Sequence, residues 1–394
     1  MRARRLSLVC EGDWRRELEL VGADPGSWQR LAGKSSVLTI KLFGLSCPMA
    51  NILKQTMLSA GADAIVTREA VTCRADRSDA LVAGTEKAIR RAASSLRGQP
   101  FGLPEVGKKL EGLLQGHDLP GRMDLPGGTL DFRKAPLIMG IVNVTPDSFS
   151  DGGLHLDADA AAAAVFRMAG EGADIVDLGA ESTRPGSRSV PAGEQLARLR
   201  PVLEKVAGGP VLSVDTSLPE VAAEAVSRGA SVINDVTALS RPELAGIAAE
   251  AGAGLVLMHM QGTPEDMQDD PSYRDVLSEV YDFLAERVEL AVSHGVPRSR
   301  ILVDPGIGFG KRLAHNLALI RRLAELRGLG CRVLLGHSRK SFLGMVSGEK
   351  DAASRDLHTH AVTALAAGSA DVVRVHDVAG TAAVLGVAAA VGGS

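Results

Sequence analysis

Aromatic residues are scarce in this 394-residue chain, at 3%, with only two Trp, two Tyr and eight Phe. Its core must therefore be built from Ala, Val, Leu and Ile. No sign of charge is in excess: 44 Lys and Arg stand against 47 Asp and Glu, for a net charge of −3. The strong basic excess of a nucleic-acid or membrane-binding surface is missing. Cysteine is limited to Cys10, Cys47, Cys73 and Cys331. No pair forms a CxxC, and the spacings fit neither a zinc site nor a disulfide framework. Reduced thiols in a cytoplasmic protein are the expectation. Long apolar runs are missing too. The "LSLVC" of the basic N-terminal stretch is too short for a signal peptide. The C-terminal "VAGTAAVLGVAAAV" falls short of the roughly 20 apolar residues a membrane span needs. It reads as a final packed helix.

What is present is ordinary globular composition, 45% hydrophobic and 23% charged, over a length that favours two domains. Residues 100–135 are rich in Pro and Gly with little apolar period, which predicts a linker and a boundary near residue 128. Before it, "VLTIKLFGL", "ADAIVTREAV" and "DALVAG" read as strands. "CPMANILKQTMLSAG" and "TEKAIRRAASSLRG" read as helices, the first with Pro48 in its opening turn and Gly61 closing it. Residues 1–128 are thus expected to form a small α+β domain. It contains no catalytic constellation; Asp63, Arg68 and Glu69 read as surface charges.

From residue 136 the pattern becomes a cycle. The runs "PLIMGIVN", "ADIVDLGAES", "PVLSVDTS", "ASVINDV", "GLVLMHM", "RILVDPG", "CRVLLGHS" and "ADVVRVHD" alternate with helix-length segments. Fully apolar strands between helices imply a parallel sheet covered on both faces. Eight such units in this length predict a (β/α)8 TIM barrel over residues 129–394. In a parallel barrel the C-terminal strand ends share one mouth, where active sites sit. Those ends carry Asn143, Asp177 and Glu181, Asp215, Asn234 and Asp235, His259, Asp304, His337 and Ser338, and Arg374 and His376. Packing does not require eight apolar strands all to end in polar groups, whereas a polar ligand at one pole does. Arg184, Arg339, Lys340 and Arg374 at or just past the ends add an expectation of anionic groups on it.

The ordered set "GIVNVTPDSFSDGG", "DLGAESTRPGS", "SVDTS", "INDV", "LMHMQGTP", "DPGIGFGK", "GHSRKSFLG" and "RVHDV" resembles the motifs of dihydropteroate synthase, from about residue 136 onward. The resemblance implies an alkyl transfer: p-aminobenzoate displaces pyrophosphate from 6-hydroxymethyl-7,8-dihydropterin pyrophosphate, giving 7,8-dihydropteroate. It implies Mg2+ as cofactor, inhibition by sulfonamides, and a homodimer through barrel helices.

It also implies roles for residues. Asp304 and Asn234 match the positions that read the N–H edge of the pterin, a pairing carboxylates make well. Asp215 matches a position near the ring nitrogens, where it would stabilise positive charge as pyrophosphate leaves. Lys340 matches the lysine at the pterin carbonyl and ring nitrogen, and Met258 and Phe309 the apolar walls of the ring. Arg374 and His376 match a diphosphate clamp, and Asn143 the Mg2+ ligand beside it. Thr183, Arg184 and Pro185 of the second loop, with Ser341 and the neighbouring Arg339, match the p-aminobenzoate side. The first loop, residues 145–153, reads as a lid held at one end by the strand. Phe149 is its candidate wall for p-aminobenzoate and Asp147 its candidate charge near the leaving group.

Blander readings stand beside these. A lone Asp at a strand end caps the next helix as readily as it binds a ligand. Met258 fits a plain barrel core, and Pro185 a rigid surface turn. "GIGFGK" lacks the GxxxxGK[ST] spacing of a nucleotide loop, with Arg312 where a hydroxyl is needed. His358 and His360 lack a third metal ligand and read as structural. They and His337 depart from the small or apolar residues commonest in the family. A pterin-dependent corrinoid methyltransferase and a non-catalytic pterin-binding paralogue are the alternatives. Neither accounts for the first loop together with "SRK" and "RVH".

Overall fold

The computed structural model describes residues 11–24, 36–74, 76–115, 119–134, 136–144, 153–181, 189–263 and 266–392. The chain forms two compact units that part between residues 118 and 119.

In the first unit, β1 (Val37–Ser46), β2 (Asp63–Val66) and β3 (Arg77–Thr85) form an antiparallel sheet in the order β1-β3-β2. Period-two burial turns Leu42, Ala64, Ala80 and Val82 onto one face, where they meet Leu53, Met57, Ile89 and Leu96 of the expected helices. Helix Cys47–Ala60 ends at Gly61 in the left-handed conformation, φ 82°. The run "ADAIVTREAV" is a strand only to Val66. Thr67 then caps a short helix, Arg68–Val71, its hydroxyl accepting the Ala70 N–H at 3.2 Å. Asp63, Arg68 and Glu69 are exposed.

Two expectations need correcting here. The stretch read as linker holds a helix, Leu103–Gln115, which packs on helix Glu86–Leu96. Its Gly107 permits the approach: a Cβ there would stand 2.7 Å from Ala93 O. The composition of a linker therefore disguised a close helix crossing. The thiols are not all reduced either, because Cys47 and Cys73 form a disulfide, with Cα atoms 5.4 Å apart. Sequence spacing of 26 gave no hint; the fold brings the turn after the short helix against the start of helix Cys47–Ala60. Asn51 Nδ2 donates to Ala70 O at 2.9 Å across the same junction. A bridge closing a loop of this size stabilises by roughly 3 kcal/mol. Reductant should lower the unfolding transition of the first unit by about that much and leave the barrel transition in place, as read by denaturant melts with and without a thiol. Cys331 is buried and unbridged; Cys10 lies outside the described residues.

The second unit is the expected barrel. Strands β6 (Leu137–Asn143), β7 (Ile175–Gly179), β8 (Val211–Asp215), β9 (Ala230–Asp235), β10 (Gly254–Met258), β11 (Ile301–Asp304), β12 (Arg332–Gly336) and β13 (Val372–Val375) close into one parallel ring in chain order. A hairpin, β4 (Arg122–Leu125) and β5 (Gly128–Asp131), plugs the N-terminal end. Its Met123, Leu125 and Leu130, with Phe132, join the inward layer of Leu137, Ile175, Val211, Val232, Val256, Leu302, Leu334 and Val372. Gly127 N–H donates to Ser231 Oγ at 2.8 Å. A boundary at residue 128 would cut this hairpin in half, so the structural division lies ten residues earlier. The hairpin's apolar residues are too few to form a visible period, yet they seal the barrel floor.

Small residues carry the outer core, as the aromatic scarcity requires: Ala158, Ala161, Ala222, Ala225, Ala245 and Ala248 are buried among Val and Leu. The final helix, Val378–Gly392, buries Val378 and Thr381, while Val387 and Val391 are 66% and 84% exposed. It packs by its first half, through Leu385. No described helix is long and apolar enough to cross a membrane.

Candidate active site

Strand register sets the mouth. Asn143, Gly179, Asp215 and Asn234 lie side by side on β6, β7, β8 and β9. Met258 pairs with Asp304, and Gly336 with Arg374. Residues in one row of a parallel sheet face the same way, so these side chains converge.

At the centre lies a charge network. Arg374 reaches across the mouth: Nε donates to Asp177 Oδ2 at 2.6 Å and Nη2 to Asp215 Oδ2 at 2.9 Å. Asn234 Nδ2 donates to the same Asp177 oxygen at 3.0 Å. That bond assigns the amide so that its carbonyl oxygen is turned away from Asp177. Asp177 is fully buried and Asp215 nearly so. Burial pushes the Asp215 carboxyl up to about 7, against the pull of Arg374 and with the repulsion of Asp177. Asp177 Oδ1 has no hydrogen-bond partner among the described residues.

Beside it lies a second cluster. Asp304 is buried and its Oδ1 accepts the Gly306 N–H at 2.7 Å. Burial raises its pKa, with Lys340 the main opposing influence. Gly336 leaves the space between them open: a Cβ there would be 3.2 Å from Asp304 Oδ2 and 3.9 Å from Lys340 Nζ. Lys340 lies 4.4 Å from the centre of the Phe309 ring and donates to Ile307 O. Burial lowers its ammonium to about 8, opposed by Asp304. Met258 is buried beside Gly306, and Phe309 is half-buried.

The remaining expected positions divide. Asn143 Oδ1 faces the gap left by Gly179, 3.6 Å from where a Cβ would stand. His376 Nδ1 is 2.9 Å from Ser338 Oγ. Ser341 is exposed at the start of helix Ser341–Ser347. Arg339 is tied to Asp356 by bonds of 2.7 and 2.6 Å. It is therefore paired with a carboxylate and does not add the free positive charge expected of it. Asp147, Phe149, Thr183, Arg184 and Pro185 lie outside the described residues. His337 is buried, with Nε2 3.1 Å from Thr359 O and 3.0 Å from Thr363 Oγ1. Burial depresses it to about 4, leaving a neutral structural ring. His360 Nε2 lies 3.1 Å from Asp377 Oδ2. No group of three His, Cys, Asp or Glu that could hold a metal occurs among the described residues.

Sequence reading missed the part played by Asp177. It is expected at a strand end with no role of its own, but it sits in the middle of β7, Ile175–Gly179; a charge inside an apolar strand requires partners, and that was the available signal. Ser338 stands at a strand end as expected, but its contact with His376 was not foreseen, and neither was the burial of Lys311.

The comparisons agree with this geometry. Residues 139–376 match the family model described as pterin binding enzyme. Dihydropteroate synthase of Escherichia coli is 43% identical over 256 residues, covering 64% of this chain and 90% of that protein. A probable bifunctional folylpolyglutamate synthase/dihydropteroate synthase of Halobacterium salinarum is 42% identical over 368 residues, which is 93% of this chain but 44% of that protein. The chain thus spans less than half the length of this relative and of its Haloferax volcanii counterpart. The solved Xanthomonas albilineans dihydropteroate synthase with 4-aminobenzoic acid superposes with a TM-score of 0.65 at 46% identity, over 68% of this chain and 97% of that one. On the motifs, the barrel and these matches, the chain belongs to the dihydropteroate synthase family of pterin-binding enzymes.

Proposed function

We propose that the barrel condenses 6-hydroxymethyl-7,8-dihydropterin pyrophosphate with p-aminobenzoate, releasing pyrophosphate and 7,8-dihydropteroate. The observation that carries this reading is the convergence of Asp215, Asn234, Asp304, Lys340 and Arg374 at one barrel mouth. A pterin offers N–H donors along one edge and a carbonyl on the ring. Asp304 and the outward carbonyl of Asn234 are acceptors for the edge, and Lys340 is the donor for the carbonyl. Met258 and Phe309 supply apolar faces. Asp215, held by Arg374, is placed to stabilise positive charge on the pterin methylene as pyrophosphate departs. Such preorganised charge in a water-poor site acts more strongly than it would in solvent.

Arg374 and His376 form the diphosphate side of this reading. Arg374 spends Nε and Nη2 on carboxylates, so its Nη1 is the group assigned to phosphate oxygen. Asn143 offers one hard oxygen toward an open position, which fits Mg2+ held mainly by substrate phosphates and water. When bound there, Mg2+ would neutralise charge on the leaving diphosphate. Asp147 and Phe149, with Thr183, Arg184, Pro185 and Ser341, complete the proposal on the p-aminobenzoate side. A cytoplasmic homodimer is part of the same reading. Supporting it, Met345, Val346, Leu357, Leu365, Val387 and Val391 are exposed on the helices that follow β12 and β13.

The purified chain should release pyrophosphate only when p-aminobenzoate and Mg2+ accompany the dihydropterin substrate, and sulfonamides should compete with p-aminobenzoate. A coupled pyrophosphate assay reads this directly. No release with both substrates saturating would remove the proposal. Methyl transfer from a methylated tetrahydropterin to a corrinoid would put the methyltransferase in its place.

A further inference from the structure

Lys311 is a buried basic residue that the proposed reaction does not use. Only 3% of it is exposed, although it carries an ammonium on a four-carbon stem. Its Nζ lies 2.9 Å from His259 Nδ1, 2.9 Å from Phe309 O and 3.3 Å from His259 O. Three acceptors meet three N–H donors, which is full satisfaction for an ammonium. Burial lowers its pKa well below the usual lysine value, opposed by the nearby Asp304 carboxylate and reinforced by the Lys340 charge.

These contacts join two loops that both carry pterin-side residues. His259 follows Met258 at the end of β10, and Phe309 lies in the loop after Asp304 of β11. The loops also meet by close backbone approach and through Gln268, whose Nε2 donates to Gly308 O at 2.6 Å. Gly306 and Gly310 have φ of 66° and 60°. A Cβ on either would stand 1.9 Å from His259 O or 2.3 Å from Gln261 O. Asn316 Oδ1 accepts the Gly308 N–H at 2.8 Å, and Tyr273 Oη donates to Gly310 O at 2.8 Å. Lys311 bonds both sides of the seam from a buried position, and one of its bonds ends on the peptide carbonyl of Phe309. The ring of Phe309 in turn faces Lys340.

We propose that Lys311 is a positioning residue for the pterin pocket. It latches the loop after β11 onto the end of β10, and so fixes the Phe309 ring and, through it, the Lys340 ammonium. This rests on the pterin reading above. The latch requires a particular protonation: Lys311 donates to Nδ1, so His259 is a neutral imidazole with its proton on Nε2. His259 is packed against Phe283, with ring centroids 4.9 Å apart in an edge-on arrangement, and against Tyr273 at 6.0 Å. The groups facing it are Lys311 and Tyr273, with Asp304 beyond Lys311. Burial and the Lys311 charge both oppose its protonation.

Nitrogen NMR of the histidine-labelled wild-type protein at pH 7 tests the latch without any variant. A neutral Nε2–H tautomer for His259 is expected; an imidazolium, or a proton on Nδ1, would overturn the proposal. Lys311→Met keeps the stem and removes the donors. It should raise KM for the pterin substrate about tenfold while KM for p-aminobenzoate stays within twofold. The His259→Leu variant should behave alike, and the double variant no worse than either alone. Equal loss in both KM values, or additive effects, would mean that Lys311 serves stability alone. A wild-type protein that shows the tautomer but releases no pyrophosphate would sink the proposed reaction and leave the latch standing.

Discussion

Arg374→Met should abolish turnover and cost the barrel about 3–5 kcal/mol, because it leaves two buried carboxylates facing each other with no cation. Asp177 and Asp215 have side-chain exposures of 0% and 7%, and each gives an oxygen to the same guanidinium. Neither can turn to water. For a unit of this size the expected fall in melting temperature is on the order of 10 °C. Activity should fall by at least about two orders of magnitude, the usual effect of removing a preorganised charged group. Stability and activity can then be separated. In the triple variant with Asp177→Asn and Asp215→Asn the unpaired charges are gone, so most of the lost melting temperature should return while turnover stays absent. A triple variant as unstable as the single one would show that Arg374 stabilises by packing. A single variant that kept wild-type kcat/KM would remove the central cation from the mechanism.

This network also shows how far a sequence can be read. Eight apolar runs with polar ends were legible because each carries its own period and its own terminus, and a parallel barrel gathers those termini. Asp215, Asn234, Asp304, Lys340 and Arg374 are therefore expected together at one mouth from the sequence alone. Which of them touch was not legible. That Arg374 on the last strand spans the ring to β7 and β8 depends on barrel closure and on strand stagger, which no local pattern carries. The same holds for Lys311. In "GFGK" it looks like a phosphate-binding lysine, and only the approach of the β10 loop shows that its ammonium is buried. The hairpin under the barrel and the helix Leu103–Gln115 were hidden for a different reason. Gly and Pro serve in turns and linkers alike, and at Gly107 and Gly127 they mark close backbone approach instead.

The second large effect expected is a narrow, bell-shaped dependence of kcat/KM on pH, governed by the free protein's groups. In the proposed reaction Asp215 would act as a carboxylate, and burial holds its pKa near 7. Activity should therefore rise as pH rises through about 7. In the same proposal Lys340 would act as an ammonium, and burial lowers it to about 8. Activity should therefore fall as pH rises through about 8, leaving a maximum between the two. The signs follow from which form works: deprotonation creates the useful state of Asp215 and destroys that of Lys340. Lys340→Arg keeps a charge that does not titrate in this range, so the alkaline limb should move beyond pH 10 even where the rate is lower. Lys340→Met should remove the limb altogether and weaken pterin binding by about tenfold or more, the loss of a charge-assisted hydrogen bond. An alkaline limb that survives Lys340→Arg would assign it to another group. An acid limb unchanged in Asp215→Asn would free Asp215 from the role given to it. Asp304 opposes the fall of Lys340, and Lys340 opposes the rise of Asp304. Asp304→Asn should accordingly shift the alkaline limb to lower pH, a coupling that a purely structural Asp304 would not produce.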